Sequence, residues 1–381
     1  MTPFELASPT RLVFGPGTLS RLGELARELG FRRTLLVADA GIVAAGFAAR
    51  ATASLEAAGV VSLTFSDFDH DPTSAMADAG ASVGRAAGVD SLVGLGGGSS
   101  LDCAKSIGFV LANGGRMPDY RGYGKAKHPL PPMIGVPTTA GTGSEAQAYA
   151  LVSDDVTHEK MACGDPSAFF KVAILDPELL VSLPRAMTAA TGYDAIAHCV
   201  ETWVTTARTP ASDLFAREAF RLLESSYERV LAAPGDLEAR GDTLVGAYWA
   251  GAAISASMLG ATHACANPLT ARYGTTHGVA IALLLPHVVR WNGAVAGARY
   301  AELLAVTGRV VAAADAAGAL ASRLEALAVA GGLPRGLRSA GVPEADLPVL
   351  AEEAAQQWTG RYNPRPFDAR GARELYRAAF A

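Results

Sequence analysis

The feature that most constrains this chain is a change of hydrophobic period near residue 183. Before it, β-branched runs alternate with helical stretches. Thr34–Ala38, Val60–Phe65, Ser91–Gly94, Pro132–Val136 and Val172–Leu175 read as strands, and Phe47–Ala58 and Met76–Ala87 as helices. Strands separated by helical patterns of about 10–15 residues indicate βαβ units and a mainly parallel sheet. After Leu183-Pro184 the period-2 signal vanishes, and alanine- and leucine-rich stretches run to the C-terminus with breaks at Pro210, Pro234-Gly235, Pro268, Gly332 and Pro343. Two domains follow: residues 1–183 as an α/β domain with a Rossmann-like parallel sheet, and 184–381 as an all-α domain. A chain of 381 residues is long enough to build both cores.

Charge and cysteine usage narrow the class. A formal net charge of -5 argues against a general nucleic-acid binder. Cys103, Cys163, Cys199 and Cys265 are dispersed without a CxxC pair, as expected for reduced thiols in the cytoplasm. The N-terminus has no apolar run behind a basic start, so no secretory signal is expected. Thr243–Ala271 lacks charge, but it holds Gly246, Gly251, Gly260, Ser255, Ser257 and Asn267. It reads as a buried helix of a helical domain, ending at His263, and not as a membrane span.

Chemistry is signalled first by Gly94-Leu-Gly-Gly-Gly-Ser-Ser-Leu-Asp-Cys-Ala-Lys105, where a strand runs through glycines into a helix starting near Ser99 or Ser100. Glycines admit a pyrophosphate close to the backbone, and the free amides of a first helical turn bind its charge. The spacing is not GxGxxG, and a plain strand–helix turn explains it as well. Asp39, just past a strand, is placed to accept from adenine-ribose hydroxyls and to repel a 2′-phosphate; a solvated turn aspartate is the alternative. Gly135-Val-Pro-Thr-Thr-Ala-Gly-Thr-Gly-Ser-Glu145 is a second hydroxyl- and glycine-rich loop, and two such loops in one α/β domain favour a nucleotide site.

The second signal is a set of cation donors. Asp194 and His198 are spaced i, i+4, which on a helix places carboxylate and imidazole on one face. His263 and His277 follow in one short segment, and three of the chain's 7 histidines fall in this set. One carboxylate and three imidazoles suit Fe(II) or Zn(II), and also Co, Mn or Ni. The remaining histidines, His70, His128, His158 and His287, read as structural or surface residues.

Together these motifs resemble the iron-containing (group III) alcohol dehydrogenases, whose dehydroquinate synthase-like fold is shared with glycerol dehydrogenase. The resemblance spans nearly the whole chain. It runs from Phe14-Gly-Pro-Gly-Thr through the two loops, Lys160-Met-Ala and Asp194/His198, to His277-Gly-Val-Ala-Ile-Ala-Leu-Leu-Leu-Pro-His287 and Asn363-Pro-Arg365. It implies that Asp194, His198, His263 and His277 bind one divalent metal, Fe(II) before Zn(II). It implies NAD as cofactor, its ribose read by Asp39 and its pyrophosphate held by Gly97, Gly98 and Ser99. Thr138, Thr139, Thr142 and Ser144 would lie along the nicotinamide, with Asp71, Asp102, Tyr149 and Lys160 completing the cofactor contacts. The implied reaction is hydride transfer between NAD(H) and a small alcohol or aldehyde, at a site between the two domains of a homodimer's subunit.

Two positions depart from the family. Asn267 stands where a histidine assigned to proton exchange is usual, and an amide carries no proton at neutral pH. Asp71 stands where many members have asparagine. Rival readings on the same scaffold are a polyol dehydrogenase, a maleylacetate reductase and a dehydroquinate-synthase-type lyase. The lyase needs more basic residues for a phosphorylated substrate than Arg272 in the His263–His277 segment supplies. A nucleotide- or metal-binding protein without activity is a further alternative. Ile254 and Met258 are expected to line the substrate pocket.

Overall fold

The computed structural model describes residues 9–68, 71–157 and 159–380. The expectations on the first residues, His70 and His158 lie outside them. The chain divides into an α/β unit, the described residues up to Thr139 together with Gly143–Val181, and a helical unit, Ala140–Thr142 together with the chain from Ser182 onward.

In the α/β unit the strands are β1 (Arg11–Phe14), β2 (Arg33–Val37), β3 (Val61–Phe65), β4 (Ser91–Gly96), β5 (Gly122–Tyr123), β6 (Met133–Pro137), β7 (Tyr149–Ser153), β8 (Lys160–Gly164) and β9 (Val172–Leu175). Its helices are α1 (Leu22–Glu28), α2 (Ala40–Ala44), α3 (Phe47–Ala57), α4 (Ser74–Ala87) and α5 (Gly98–Asn113). A six-stranded sheet has the order β1-β9-β6-β4-β2-β3, with every pairing parallel. Its inner strands β4, β6 and β9 are buried at every residue, as a sheet covered on both faces requires.

The crossovers set the useful geometry. From β2 the chain moves outward to β3, whereas from β4 it moves the other way to β6. The carboxyl ends of β2 and β4 therefore flank a switch point, where open parallel sheets bind ligands. A second sheet, β5-β8-β7, pairs β7 and β8 antiparallel. This sheet and the edge strand β1 escape the sequence pattern because each is short and only partly buried. Buried Asp176 closes the far end of the unit, accepting from Gly17 and Leu19 amides at 3.0 Å each.

The helical unit contains α6 (Arg185–Val204), α7 (Pro210–Ala232), α8 (Leu237–Ser255), α9 (Ala261–Tyr273), α10 (His277–Ala305), α11 (Ala313–Gly331), α12 (Leu347–Ala355) and α13 (Ala369–Ala378). The uncharged stretch is two helices, not one. Helix α8 stops at Ser255 and α9 restarts at Ala261, so His263 opens a helix where it was expected to end one. The restart has a cause: the Thr262 amide donates to Glu201 Oε1 at 2.7 Å and the Ala261 amide to Asn363 Oδ1, so two side chains from outside cap α9. Pro268 lies inside α9, where a break was expected, and Pro210 opens α7 at a position where its missing N–H costs nothing.

Among the described residues only α10 is long and apolar enough to cross a membrane, and 61% of its apolar window is buried. It is a central helix of this unit, packed on α6, α9 and α11. Its second residue, Gly278, lies so close to α6 that an added Cβ would stand 2.0 Å from the Ala190 carbonyl oxygen.

Candidate active site

The glycine loop leaves β4 at the switch point. Gly96 adopts φ +145°, and a Cβ there would fall 2.3 Å from Ser100 Oγ, so only glycine fits. Gly97 caps α5 without a side-chain hydrogen bond, and Gly97, Gly98 and Ser99 are partly exposed where the strand behind them is buried. The helix thus presents amides with no side-chain acceptor, the arrangement that binds phosphate. Asp39, at the end of neighbouring β2, caps α2 through the Ile42 amide at 3.0 Å and accepts from Ser100 Oγ at 3.0 Å. The fold therefore brings the expected ribose carboxylate to the glycine loop. The second loop joins them: the Thr138 amide donates to the Gly96 carbonyl at 2.9 Å, and Thr139 lies against Gly97.

Behind these loops is a buried network centred on Lys105, to which sequence reasoning gave no role. Lys105 Nζ, fully buried, donates to Ser144 O, Ser144 Oγ, Gln147 O and Tyr149 O at 2.7–2.9 Å. Ser144 Oγ in turn donates to Asp102 Oδ1 at 2.6 Å. Asp102 and Ser144, expected on the cofactor, are thus bonded to one another, with Ser144 bonded to Lys105 and Asp102 Oδ1 3.9 Å from its ammonium, as the support of the 144–149 segment. Burial lowers the Lys105 ammonium to about 8 and raises neighbouring Glu145 to about 7. Lys160 on β8 pairs with Asp71 at 3.6 Å, so the unusual aspartate meets the expected cofactor lysine directly. Tyr149 starts β7, its ring 5.5 Å from that of Tyr123. Thr142 belongs to the short segment that groups with the helical unit.

In the helical unit the four expected donors converge. Asp194 Oδ1 lies 3.5 Å from His198 Nε2, 3.4 Å from His263 Nε2 and 3.8 Å from His277 Nε2. The tightest group is Asp194, His263 and His277, whose donor atoms all lie within 4.8 Å of one another. The His198 ring stacks on that of His263 at 4.9 Å. Helix α6 supplies Asp194 and His198 from one face, the first turn of α9 supplies His263, and the start of α10 supplies His277.

Asp194 Oδ1 and His263 Nε2 are buried and make no hydrogen bond, which is costly for polar atoms unless something else engages them. One divalent cation fits this donor set and would satisfy both atoms. Burial opposes the charge on Asp194, yet the surrounding imidazoles hold it well below the usual carboxylate range. Burial lowers His198 to about 4, leaving it neutral and able to ligate.

Sequence reasoning missed Glu201, i+7 from Asp194 on the same helix and 4% exposed. Its Oε2 accepts from His263 Nδ1 while Oε1 caps α9. Burial pulls His263 down, but Glu201 and Asp194 outweigh it and raise the imidazole, so a cation binding at Nε2 would have to displace that nitrogen's proton. The i, i+4, i+7 spacing of Asp194, His198 and Glu201 was the available signal. Asn267, one turn beyond His263, donates from Nδ2 to Gln357 Oε1 at 3.0 Å. Ile254 is buried near the end of α8 and Met258 partly buried in the link to α9. His128 is exposed and His287 partly buried, as expected.

An α/β unit with a nucleotide crevice and a helical unit with an Asp/His cation cluster define a metal- and dinucleotide-dependent oxidoreductase class. Comparison with known proteins makes this specific. Residues 9–177 match the model of the iron-containing alcohol dehydrogenases, and 188–380 the C-terminal model of the same family. The NAD-dependent methanol dehydrogenase of Bacillus methanolicus is 33% identical over 96% of each chain. The crystal structure of a 1,3-propanediol oxidoreductase superposes with a TM-score of 0.97 at 33% identity over 100% of both chains. A sulfoacetaldehyde reductase from Bifidobacterium kashiwanohense, solved in complex with NAD+, gives a TM-score of 0.91 at 27% identity, covering 100% of this chain and 99% of that one. The chain belongs to the iron-containing alcohol dehydrogenase family. It is an NAD-dependent alcohol oxidoreductase that interconverts alcohols and aldehydes.

Proposed function

We propose that Asp194, His198, His263 and His277 hold one divalent cation, Fe(II) before Zn(II), and that this cation serves NAD(H)-linked interconversion of a short alcohol and its aldehyde. The observation that carries the reading is the convergence of three imidazole nitrogens on one buried carboxylate oxygen. The family's iron-containing description supports iron. When bound, the cation supplies Lewis acidity toward the substrate oxygen, and the dinucleotide accepts or returns the hydride.

The chain's own residues do the rest. Asp194 offsets the cation's charge in a buried setting, and neutral His198 leaves its lone pair for ligation. The amides of Gly97, Gly98 and Ser99 bind pyrophosphate, and Asp39 accepts from ribose hydroxyls and disfavours a 2′-phosphate. Thr138, Thr139, Thr142, Tyr149 and Lys160 complete the cofactor's surroundings, while Asp102, Lys105 and Ser144 hold the second loop beneath them. Asn267, an amide tied to Gln357, cannot relay a proton, so a relay through this position uses water or another group.

The methanol and 1,3-propanediol substrates named for the relatives support a small alcohol. The four free, buried cysteines support the cytoplasm as the site of action, and the family resemblance alone supports a homodimer as the working unit. Metal analysis of anaerobically purified protein, followed by NADH oxidation with short aldehydes with and without chelator, tests the whole reading. One equivalent of cation and chelator-sensitive turnover are expected; undiminished turnover after complete metal removal would overturn it.

A further inference from the structure

We propose that Glu201 is a positioning residue that locks His263 as its Nδ1–H form, turning Nε2 toward the cation site, and that only a carboxylate can do this. The inference rests on the metal reading given above. Glu201 is buried, and its two oxygens face two different donors: the His263 ring through Nδ1 and the Thr262 amide at 2.7 Å. An imidazole has two nitrogens, so a donor role fixed on Nδ1 leaves the Nε2 lone pair for the other partner. That Nε2 lies 3.4 Å from Asp194 Oδ1 and makes no hydrogen bond.

The same carboxylate fixes the backbone that carries the ligand. Thr262 immediately precedes His263 in the first turn of α9, so holding its amide holds the His263 Cα. The Glu201 charge also lies at the positive end of that helix. Glu201 acts through His263 and does not touch substrate. Beside it is a hollow of about 10 Å³ bordered by Thr262, Asn292, Tyr300 and Asn363, room for roughly one water.

The requirement for a carboxylate is geometric. In Glu201→Gln, if the amide oxygen stays on the Thr262 N–H, the NH₂ faces His263 Nδ1. That nitrogen must then accept, and the ring proton moves to Nε2, the atom needed for ligation. If the amide flips, its NH₂ meets the Thr262 N–H and two donors collide. Either arrangement loses one of the two functions. An acid that feeds a ligating histidine's outer nitrogen typically changes metal affinity about 10–100-fold when mutated.

The test compares Zn(II) affinity of the full-length wild type, Glu201→Gln and Glu201→Asp by competition with a chromophoric chelator. NMR of the zinc-loaded protein accompanies it, to detect the His263 Nδ1–H proton. The expected result is a 10–100-fold loss for Glu201→Gln and a smaller loss for Glu201→Asp, which keeps two acceptors. In the wild type a slowly exchanging His263 Nδ1–H is expected. A merely space-filling role predicts the reverse order, because Gln preserves the volume and Asp leaves a void. Glu201→Gln within twofold of wild type, Asp weaker than Gln, or a wild-type His263 lacking the Nδ1 proton each overturns the proposal. If Glu201→Gln does not fold, the exchange rate of the wild-type His263 Nδ1–H decides: a proton that exchanges as fast as that of a solvent-facing imidazole overturns the proposal. A wild type that takes up no divalent cation sinks the metal reading itself, a different outcome from wild-type binding that the variants leave unchanged.

Discussion

Gly278→Ala isolates the helix crossing that delivers His277. In a helix interior this change normally stabilises by roughly 0.5–1 kcal/mol, since alanine is the better helix former. Here the added Cβ would stand 2.0 Å from the Ala190 carbonyl oxygen and 2.6 Å from its carbon, both backbone atoms of α6. Non-bonded heavy atoms require roughly 3.5 Å, so α6 and the start of α10 must separate by about 1.5 Å. Ala190 lies one turn before Asp194, and Gly278 follows His277 directly, so the displacement falls on the 3.8 Å approach between those two side chains. Overpacking costs about 1–3 kcal/mol, which outweighs the propensity gain. Misplacement of about 1 Å at a reacting constellation costs on the order of 100-fold in rate. Thermal unfolding of the metal-free protein measures the first effect, and kcat/KM with chelator competition on the loaded protein the second. A variant as stable as wild type that also keeps its metal affinity would refute the argument that this glycine sets the ligand geometry.

Gly318→Ala is the matched control: the site is exposed on α11, no atom lies within 4 Å of the new Cβ, and a gain of roughly 0.5–1 kcal/mol in thermal unfolding is expected with metal affinity unchanged. Glu145 is raised from 4.5 to about 7, chiefly by burial. The folded state therefore binds more protons than the unfolded one across that window. Its contribution is complete below about 4.5 and lost as pH passes about 7. Against Glu145→Gln, wild type should lose stability between pH 5 and pH 8 in denaturant titrations; parallel curves would remove the assignment. Asp39→Ala should raise the NADP/NAD ratio of kcat/KM about tenfold or more, the carboxylate no longer repelling a 2′-phosphate; an unchanged ratio would return Asp39 to a capping role only.

The α/β unit was legible because its inner strands are buried on both faces and therefore spelled as unbroken apolar runs. Ser91–Gly96 and Met133–Pro137 were found within a residue or two of their ends. Lys160–Gly164 was not found, because its five residues, Lys-Met-Ala-Cys-Gly, include none of the β-branched or aromatic side chains that mark a strand. The four donors were legible for different reasons. Asp194 and His198 share a helix face by spacing alone, whereas His263 and His277 stood out because three of only 7 histidines fall in one donor set, and the resemblance then assigned all four to one metal. Nothing local in Thr243–Ala271 shows where the helix restarts, since the groups that cap α9, Glu201 and Asn363, come from residues far away in sequence.

That dependence explains why the site is built from helix beginnings. His263 stands in the first turn of α9 and His277 is the first residue of α10, while Asp194 and His198 occupy the middle of α6. Two helices can bring their ends to a third only if their backbones approach closely, and close approach demands a residue without a side chain where they touch. Gly278 meets this need against Ala190, and Gly260 against Glu201 and Asn363, where a Cβ would lie 3.1 Å from each side-chain oxygen. A helix beginning also carries unpaired amides and partial positive charge, which by itself repels a cation. Glu201 counters that at α9, and through the same carboxylate it bonds the His263 ring. Capping and ligand orientation are therefore one interaction, so the residue that lets α9 begin where it does also determines which nitrogen of His263 faces Asp194.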